Sequence, residues 1–431
     1  MPTASSSATS ASSRIHPIAL RSIRPRRSRP RLALLLCGAA LLAGCVTAPA
    51  PPVAPAPPAP VPAPAAPSLP AAYRPVPWSA LPGWEDDPVQ AAWPAFRVGC
   101  TALVAAPAKR ALWQRACDDA AATDARDPAS VRGFFEAHFI PYEVTAADGR
   151  ATGMITGYYE PLLAGSRTKT TRFAVPLYAV PDDLLTIDLT ALYPELSGKP
   201  LRGRVEGRRV IPYWPRADIE TGRAPLDGKA LVYVEDPVEA FFLQIQGSGR
   251  IKLDDGSVIR VGYADQNGHP YRSIGTVLIE RGELTLAQAS MQGIRAWGQR
   301  NADKLPALLD ENPSYVFFRD VPAPEPGTLA AQIDGPFGSL GVPLLRERTI
   351  AVDTRSIPLG APVYLATTYP LSTRPLQRLM LAQDTGGAIR GAVRGDFFWG
   401  FGDEAGRQAG RMRQDGRIWI LWPKDAPPPK P

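Results

Sequence analysis

A chain of 431 residues is longer than one small hydrophobic core organises and suits two domains with appendages. Aromatic (8%) and charged (21%) contents are ordinary for a globular protein, whereas 49 prolines are not. The net charge of +7 resides in residues 1–45, which hold seven arginines and no acidic residue; the rest is neutral, so composition gives no support to a nucleic-acid footprint.

Those arginines precede an apolar run that ends in Leu42-Ala43-Gly44-Cys45. The run is too short to span a hydrocarbon core of ~30 Å and fits the apolar region of a signal peptide. Its end resembles a lipobox, so residues 1–45 read as a lipoprotein signal peptide and Cys45 as the lipidation site, with acyl chains supplying membrane affinity. Val46 follows the cysteine in place of Asp, a pattern similar to Gram-negative lipoproteins held at the periplasmic face of the outer membrane. Residues 46–77 read as a Pro-rich tether, with 13 prolines between 49 and 77. Such a segment favours polyproline II at ~3.1 Å per residue over helix or sheet.

From Trp78 to about Tyr142 the pattern is helical, notably at 104–123 and 128–139. Cys100 and Cys117 lie here. In an oxidising compartment they are placed to form a disulfide worth about 3 kcal/mol; the alternative is two buried thiols on packed helices. Beyond Gly157 short β-type runs follow, among them Phe173–Val180, Leu231–Val234, Phe241–Gln246, Ile251–Leu253 and Val258–Tyr263. A helical stretch at 285–309 precedes Tyr315–Phe318 and a Pro-rich break at 322–326. The last hundred residues are β again, at Thr349–Val352, Pro362–Leu365, Leu379–Gln383 and Arg417–Trp422. The texture predicts a mainly β protein with peripheral helices, in two bodies that change over near 160 and 320.

After the signal only His138 and His269 remain, neither at metal-ligand spacing, and HExxH and CxxC are absent; no metal and no cofactor is expected. A Ser–His–Asp triad would draw on two histidines without a local signature. What remains is carboxylates in Gly-rich β context: Asp353 in Ala351–Gly360, Asp384 in Leu381–Ile389 and Asp396 in Arg394–Gly400. Any one aspartate after a strand is most simply a turn cap. Three within 44 residues, interleaved with aromatics, weaken that reading. Asp384-Thr385-Gly386 also matches an aspartic-protease triplet, but that chemistry needs two carboxylates sharing a proton and the chain has one such triplet.

The C-terminal hundred residues resemble the three-aspartate domain of the membrane-bound lytic murein transglycosylase A family. Gly157-Tyr-Tyr-Glu-Pro161, Phe241-Phe-Leu-Gln-Ile-Gln-Gly-Ser-Gly-Arg250, Tyr263-Ala-Asp-Gln-Asn-Gly-His269 and Asn312-Pro-Ser-Tyr-Val-Phe-Phe318 resemble its central insert. The resemblance covers about 80–425. It implies a double-psi β-barrel built from residues 78–160 and 322–431, the former with a helical part, and an inserted second β-domain at 161–321. It also implies cleavage of the MurNAc–GlcNAc β-1,4 bond of peptidoglycan with formation of a 1,6-anhydro-MurNAc end. The family's catalytic aspartate falls on Asp396; Asp384 matches a second aspartate of the catalytic site, and Asp353 a third in a supporting role. Expected partners are peptidoglycan glycan strands, outer-membrane lipid through Cys45, and cell-wall synthesis complexes as a further class.

The residues agree with this on their own chemistry. Protonating a glycosidic oxygen near neutral pH needs a carboxyl whose pKa lies above the usual ~3.9. Phe397, Phe398 and Trp399 beside Asp396, with Asp384 near, would raise it by desolvation and like-charge repulsion. Read as a strand, 241–246 turns Phe242, Gln244 and Gln246 to one face, and such a glutamine face suits a sugar groove better than a core. Tyr158, Tyr159, Tyr263 and Trp399 are further sugar-binding candidates, against core packing for each. Two other readings stay open: a polysaccharide hydrolase using an Asp384–Asp396 pair, and a non-catalytic peptidoglycan-binding lipoprotein.

Overall fold

The computed structural model describes residues 71–196 and 201–430. The signal peptide with Cys45, and the tether up to Pro70, lie outside the described residues. The described chain opens with β1 (Ala72–Pro75), helices α1 (Trp93–Ala105), α2 (Pro107–Ala122) and α3 (Pro128–His138), then β2 (Phe139–Thr145) and β3 (Gly153–Glu160). An insert follows. It holds β4 (Leu162–Ser166), β5 (Val175–Tyr178), β6 (Leu185–Thr186), β7 (Arg202–Glu206), β8 (Arg209–Pro212), α4 (Arg216–Glu220), β9 (Ala230–Val234) and α5 (Pro237–Gln246). It continues with β10 (Ser248–Leu253), β11 (Val258–Gln266), α6 (Ile274–Glu280), α7 (Met291–Arg300), α8 (Leu305–Leu309) and β12 (Val316–Asp320). The chain returns as β13 (Thr349–Val352), β14 (Pro362–Thr368), β15 (Pro375–Asp384), β16 (Gly395–Phe401), α9 (Gly402–Ala409) and β17 (Arg413–Pro423).

The first and last parts interleave in one eight-stranded sheet, ordered β1-β2-β17-β14-β15-β13-β16-β3, and β17 pairs with β3 as well. The insert builds a six-stranded sheet, β12-β11-β10-β4-β9-β5, and a three-stranded one, β6-β7-β8. The architecture is therefore sheet-rich with helices at its periphery, as the texture of the sequence predicts. The main core lies against the eight-stranded sheet, where α1 and α3 deliver an aromatic cluster; Trp93 and Phe134 meet edge to face at 4.9 Å. A disulfide between Cys100 and Cys117 joins α1 to α2, with Cα atoms 5.5 Å apart.

Three local expectations need correction. Ala72–Pro75 belongs to the Pro-rich stretch yet forms β1, paired antiparallel with β2 from Ala72↔Thr145 to Pro75↔Tyr142. Extended backbone suits a ladder as well as polyproline II, and a proline is tolerated on an edge strand. Phe241–Gln246 is not a strand but the end of α5. Asp236 caps that helix by accepting from the backbone of Val238 and Glu239, Pro237 occupies its first turn, and Gly247 closes it at φ +78°. Six apolar-rich residues fit either period, and the caps on both sides decide for helix. Val238 and Phe241 face α6, α7 and α8, whereas Ala240 and Leu243 face the six-stranded sheet, so both sides of α5 are buried. The expected helix at 285–309 is two helices: Ser290 caps α7, the chain turns at 301–304, and Pro306 starts α8.

Candidate active site

Four neighbouring strands, β15, β13, β16 and β3, assemble the site. Ala351 of β13 pairs with Asp384 on one side and Asp396 on the other, and Asp396 pairs with Thr156 of β3. Asp384, Ala351, Asp396 and Thr156 thus form a row across the sheet, the two aspartate backbones being two strand spacings, or about 10 Å, apart. Alternation places Phe398 on the face of Asp396 and Tyr158 on that of Thr156. Their rings lie 5.1 Å apart and, with Leu344, Ala351 and Ile389, form a small apolar cluster.

Oδ1 of Asp396 accepts the hydroxyl of Thr156 at 2.6 Å. No protein donor reaches Oδ2 among the described residues, and that oxygen is not sealed from solvent. Asp396 is only partly covered, yet the protein around it is dense. Burial pushes its pKa up against the pull of Thr156 and the Arg394 guanidinium, the charge of Asp384 adds to the rise, and the result is about 6. Asp384 ends β15. Its Oδ1 accepts from the backbone (2.9 Å) and hydroxyl (2.7 Å) of Ser339, and its Oδ2 from the Tyr158 hydroxyl at 3.0 Å. Burial nonetheless pushes its carboxyl above the ordinary value. Tyr158 is buried beside both carboxylates and its hydroxyl is held well above the usual range, chiefly by burial, so it remains a neutral donor.

Asp353 stands apart from this row. Arg355 reaches Oδ1 at 2.9 Å and Oδ2 at 2.6 Å, and the Gly391 N–H donates to Oδ2 at 2.7 Å. Burial opposes ionisation, but these donors outweigh it and the pKa is lowered. The carboxylate pins the 385–394 loop to the end of β13.

The other predicted residues fall into three settings. Trp399 sits on the opposite face of β16 from Asp396, in the main core, 4.7 Å from Phe397, with its N–H toward Met412 Sδ. Gly157 permits that packing, since a Cβ there would lie 2.6 Å from the Trp399 indole nitrogen. Gln244 is buried in the insert, where its Oε1 accepts from Arg216 (2.6 Å) and Val316 N–H (3.3 Å); helix α5, not a strand, sets that direction. Phe242 is partly buried against the insert helices. Gln246 and Tyr159 meet at the seam of insert and main sheet: Gln246 Oε1 accepts the Tyr159 N–H at 3.1 Å, and the Tyr159 hydroxyl points to Met291 Sδ. Tyr263 is 46% exposed on β11. Of the predicted sugar contacts, only Tyr158 touches an aspartate of the row.

The sequence reading missed Thr156, Ser339 and Arg394. Thr156 adjoins the Gly157–Pro161 motif and Arg394 is next but one to Asp396, so proximity to motifs was the available signal. The pairing of Thr156 with Asp396 across 240 residues was not visible. Among the described residues no cluster of His, Cys, Asp and Glu could hold a metal, and no helix is long and apolar enough to cross a membrane. Two surface concavities, one beside Asp87, Arg348 and Arg378 and one beside Arg167, Arg250 and Arg260, contain none of the three aspartates. The chemistry of the carboxyl groups, not cavity size, locates the site.

The MltA specific insert domain matches residues 154–319, and the 3D domain matches residues 348–422. Membrane-bound lytic murein transglycosylase A of Escherichia coli (strain K12) is 35% identical over 293 residues, 66% of this chain and 69% of that protein. The crystal structure of MltA from Neisseria gonorrhoeae is 40% identical, covers 84% of this chain and 95% of its own, and superposes with a TM-score of 0.71. E. coli MltA with bound chitohexaose superposes at 0.57 with 27% identity, covering 84% and 93%. With one matched segment covering β3 and the insert and the other covering the strand that carries Asp396, the chain belongs to the membrane-bound lytic murein transglycosylase A family.

Proposed function

We propose that this protein is a lytic murein transglycosylase. It cleaves the MurNAc–GlcNAc β-1,4 bond of peptidoglycan and leaves a 1,6-anhydro-MurNAc end, with Asp396 as its single acid and base. The observation that carries the assignment is Asp396 itself, a carboxyl with one oxygen held by Thr156, the other open, and a pKa pushed up to about 6. Protonated Asp396 gives its proton to the glycosidic oxygen as the C1–O4 bond breaks, and GlcNAc departs with that hydrogen. The carboxylate then takes the proton of the muramyl C6 hydroxyl while O6 closes on C1. Atoms balance without water, and Asp396 ends protonated, ready for the next turnover. The nucleophile belongs to the same sugar, so proximity replaces a positioned water. Hydrolysis would recruit Asp384 as second carboxylate, but Ser339 and Tyr158 already occupy both its oxygens. The glycan-bound relative, E. coli MltA with chitohexaose, supports an oligosaccharide as ligand.

The same reading assigns Asp384 and Tyr158 to supporting the site and Asp353 to anchoring its loop. It takes the eight-stranded sheet as a double-psi barrel, for which the extra β17–β3 pairing speaks, with 161–321 as the inserted domain. Tyr159, Phe242, Gln246 and Tyr263 stay proposals for the glycan-binding side, whereas Gln244 and Trp399 point into the insert and the main core. Cleavage before Cys45, its acylation and the tether beyond it would hold the enzyme at the periplasmic face of the outer membrane; the curated relatives' name, membrane-bound, supports attachment. Mass spectrometry of sacculus digests tests the chemistry. Anhydro-muropeptides are expected from the native enzyme and none from Asp396→Asn; reducing ends in their place would make it a hydrolase.

A further inference from the structure

Asp396 is the end of a directed hydrogen-bond chain. The Arg394 guanidinium is buried beneath it and donates to the hydroxyl oxygen of Thr156 at 2.8 Å, while its other nitrogen donates to the backbone carbonyls of Gly395 and, at 3.4 Å, Met154. Thr156 in turn faces Oδ1 of Asp396 at 2.6 Å. A guanidinium carries donors and no acceptor, and it keeps its charge at any working pH. Thr156 must therefore accept from Arg394, which leaves its one hydroxyl hydrogen to go to Oδ1. A protonated carboxyl oxygen is a poor acceptor, so an Oδ1 engaged in this way is the carbonyl-like oxygen of the acid.

We propose that Thr156 and Arg394 are positioning residues that place the catalytic proton of Asp396 on Oδ2, the oxygen that no donor among the described residues reaches. This rests on Asp396 being the acid and base. In the first half-reaction the Oδ2–H bond breaks and the glycosidic oxygen gains the hydrogen. In the second the same oxygen, now the free end of a carboxylate whose other end Thr156 stabilises, takes the hydrogen of the C6 hydroxyl. One oxygen serves both steps, so the side chain has no need to rotate between them. The relay joins β3 to β16 and so stays aligned as long as the Asp396↔Thr156 register holds. Arg394 contributes a second effect, because its charge limits how far burial raises Asp396.

The test compares steady-state lysis of sacculi by the full-length enzyme and four variants, each first shown to be folded by its melting curve. Thr156→Val removes the donor at nearly constant shape. It is expected to lower kcat about tenfold with little change in KM, and to move the alkaline limb of kcat/KM upward by about one pH unit. Thr156→Ser restores both. Arg394→Lys keeps a charge without the fixed fork and lowers kcat to a smaller extent, and the Thr156→Val/Arg394→Lys double variant loses no more than Thr156→Val alone. Native kcat and pH limb in Thr156→Val would overturn the proposal, as would a loss that Thr156→Ser does not rescue or a double variant whose losses multiply. Asp396→Asn, run alongside, separates the two levels: lysis by that variant would sink the assignment of the acid itself, whereas an inactive Asp396→Asn with a native Thr156→Val sinks only the relay.

Discussion

Two corners of the same sheet handle the same side chain in opposite ways. Asp353, just past β13, is 2% exposed, and Asp396, one strand over on β16, keeps partial access to solvent. Solvent exposure alone would make Asp353 the raised carboxyl, yet its pKa is lowered and that of Asp396 climbs to about 6. Two causes separate them: the protein packs more densely around Asp396, so burial weighs more there, and Asp353 has more donors. Asp353 has a two-pronged arginine and backbone N–H groups, whereas Asp396 has a single hydroxyl, with its nearest guanidinium one bond further away. Well-solvated burial makes an anchor; poorly solvated burial makes an acid.

The sharpest way to break this contrast is Asp396→Asn, which is expected to lower lytic activity by roughly 10³-fold, measured as anhydro-muropeptide release, since acid–base groups contribute on that order. The same variant should be more stable than native at pH 7. The folded pKa of Asp396 is raised, so its contribution favours folding below the unfolded value near 3.8 and is lost as pH rises through about 6. Asparagine avoids that loss, and urea unfolding should show a gain of about 2 kcal/mol at pH 7 that vanishes below pH 4. Asp353→Asn should do the reverse. Its depressed pKa stabilises the fold above the unfolded value and that stabilisation is lost on acidification. The variant should cost about 2 kcal/mol at neutral pH, and the gap should narrow as pH falls below the unfolded value, because a carboxylate that accepts charged hydrogen bonds is worth about this much.

How far the sequence alone reaches follows the same divide between local and distant causes. The three aspartates were legible because each lies in a short motif of its own, and the sheet-rich texture was legible because most strands exceed four residues of β-type composition. Helix α5 was misread because six residues do not resolve period two from period 3.6, although Asp236, Pro237 and Gly247 stood in plain view as its boundaries. That error also misdirected Gln244, which Arg216 holds in the interior of the insert. Trp399 departs from expectation for a different reason: neighbours in a strand point to opposite faces, so an aromatic three residues from Asp396 packs into the core. Strand register across 240 residues brings Thr156 to Asp396, and a loop 45 residues away brings Ser339 to Asp384, and no local pattern encodes either pairing.

The smallest expected effect probes the coupling between the two carboxylates. Asp384 shares its row with Asp396 across Ala351, and its charge adds to the rise of the Asp396 pKa. Asp384→Asn removes that charge and keeps an oxygen for either Ser339 or Tyr158, though not for both. The acid form of Asp396 should then give way at lower pH, so the alkaline limb of kcat/KM shifts downward, opposite in direction to removal of the Thr156 donor. Near pH 5 the variant should stay within a few-fold of native, and near pH 7 it should fall about tenfold below it. A pH-independent loss would mean that Asp384 acts by holding Tyr158 and the Ser339 turn in place, with its charge unfelt at Asp396. Native activity with an unshifted limb would place the two groups too far apart to interact and leave the rise of Asp396 to burial.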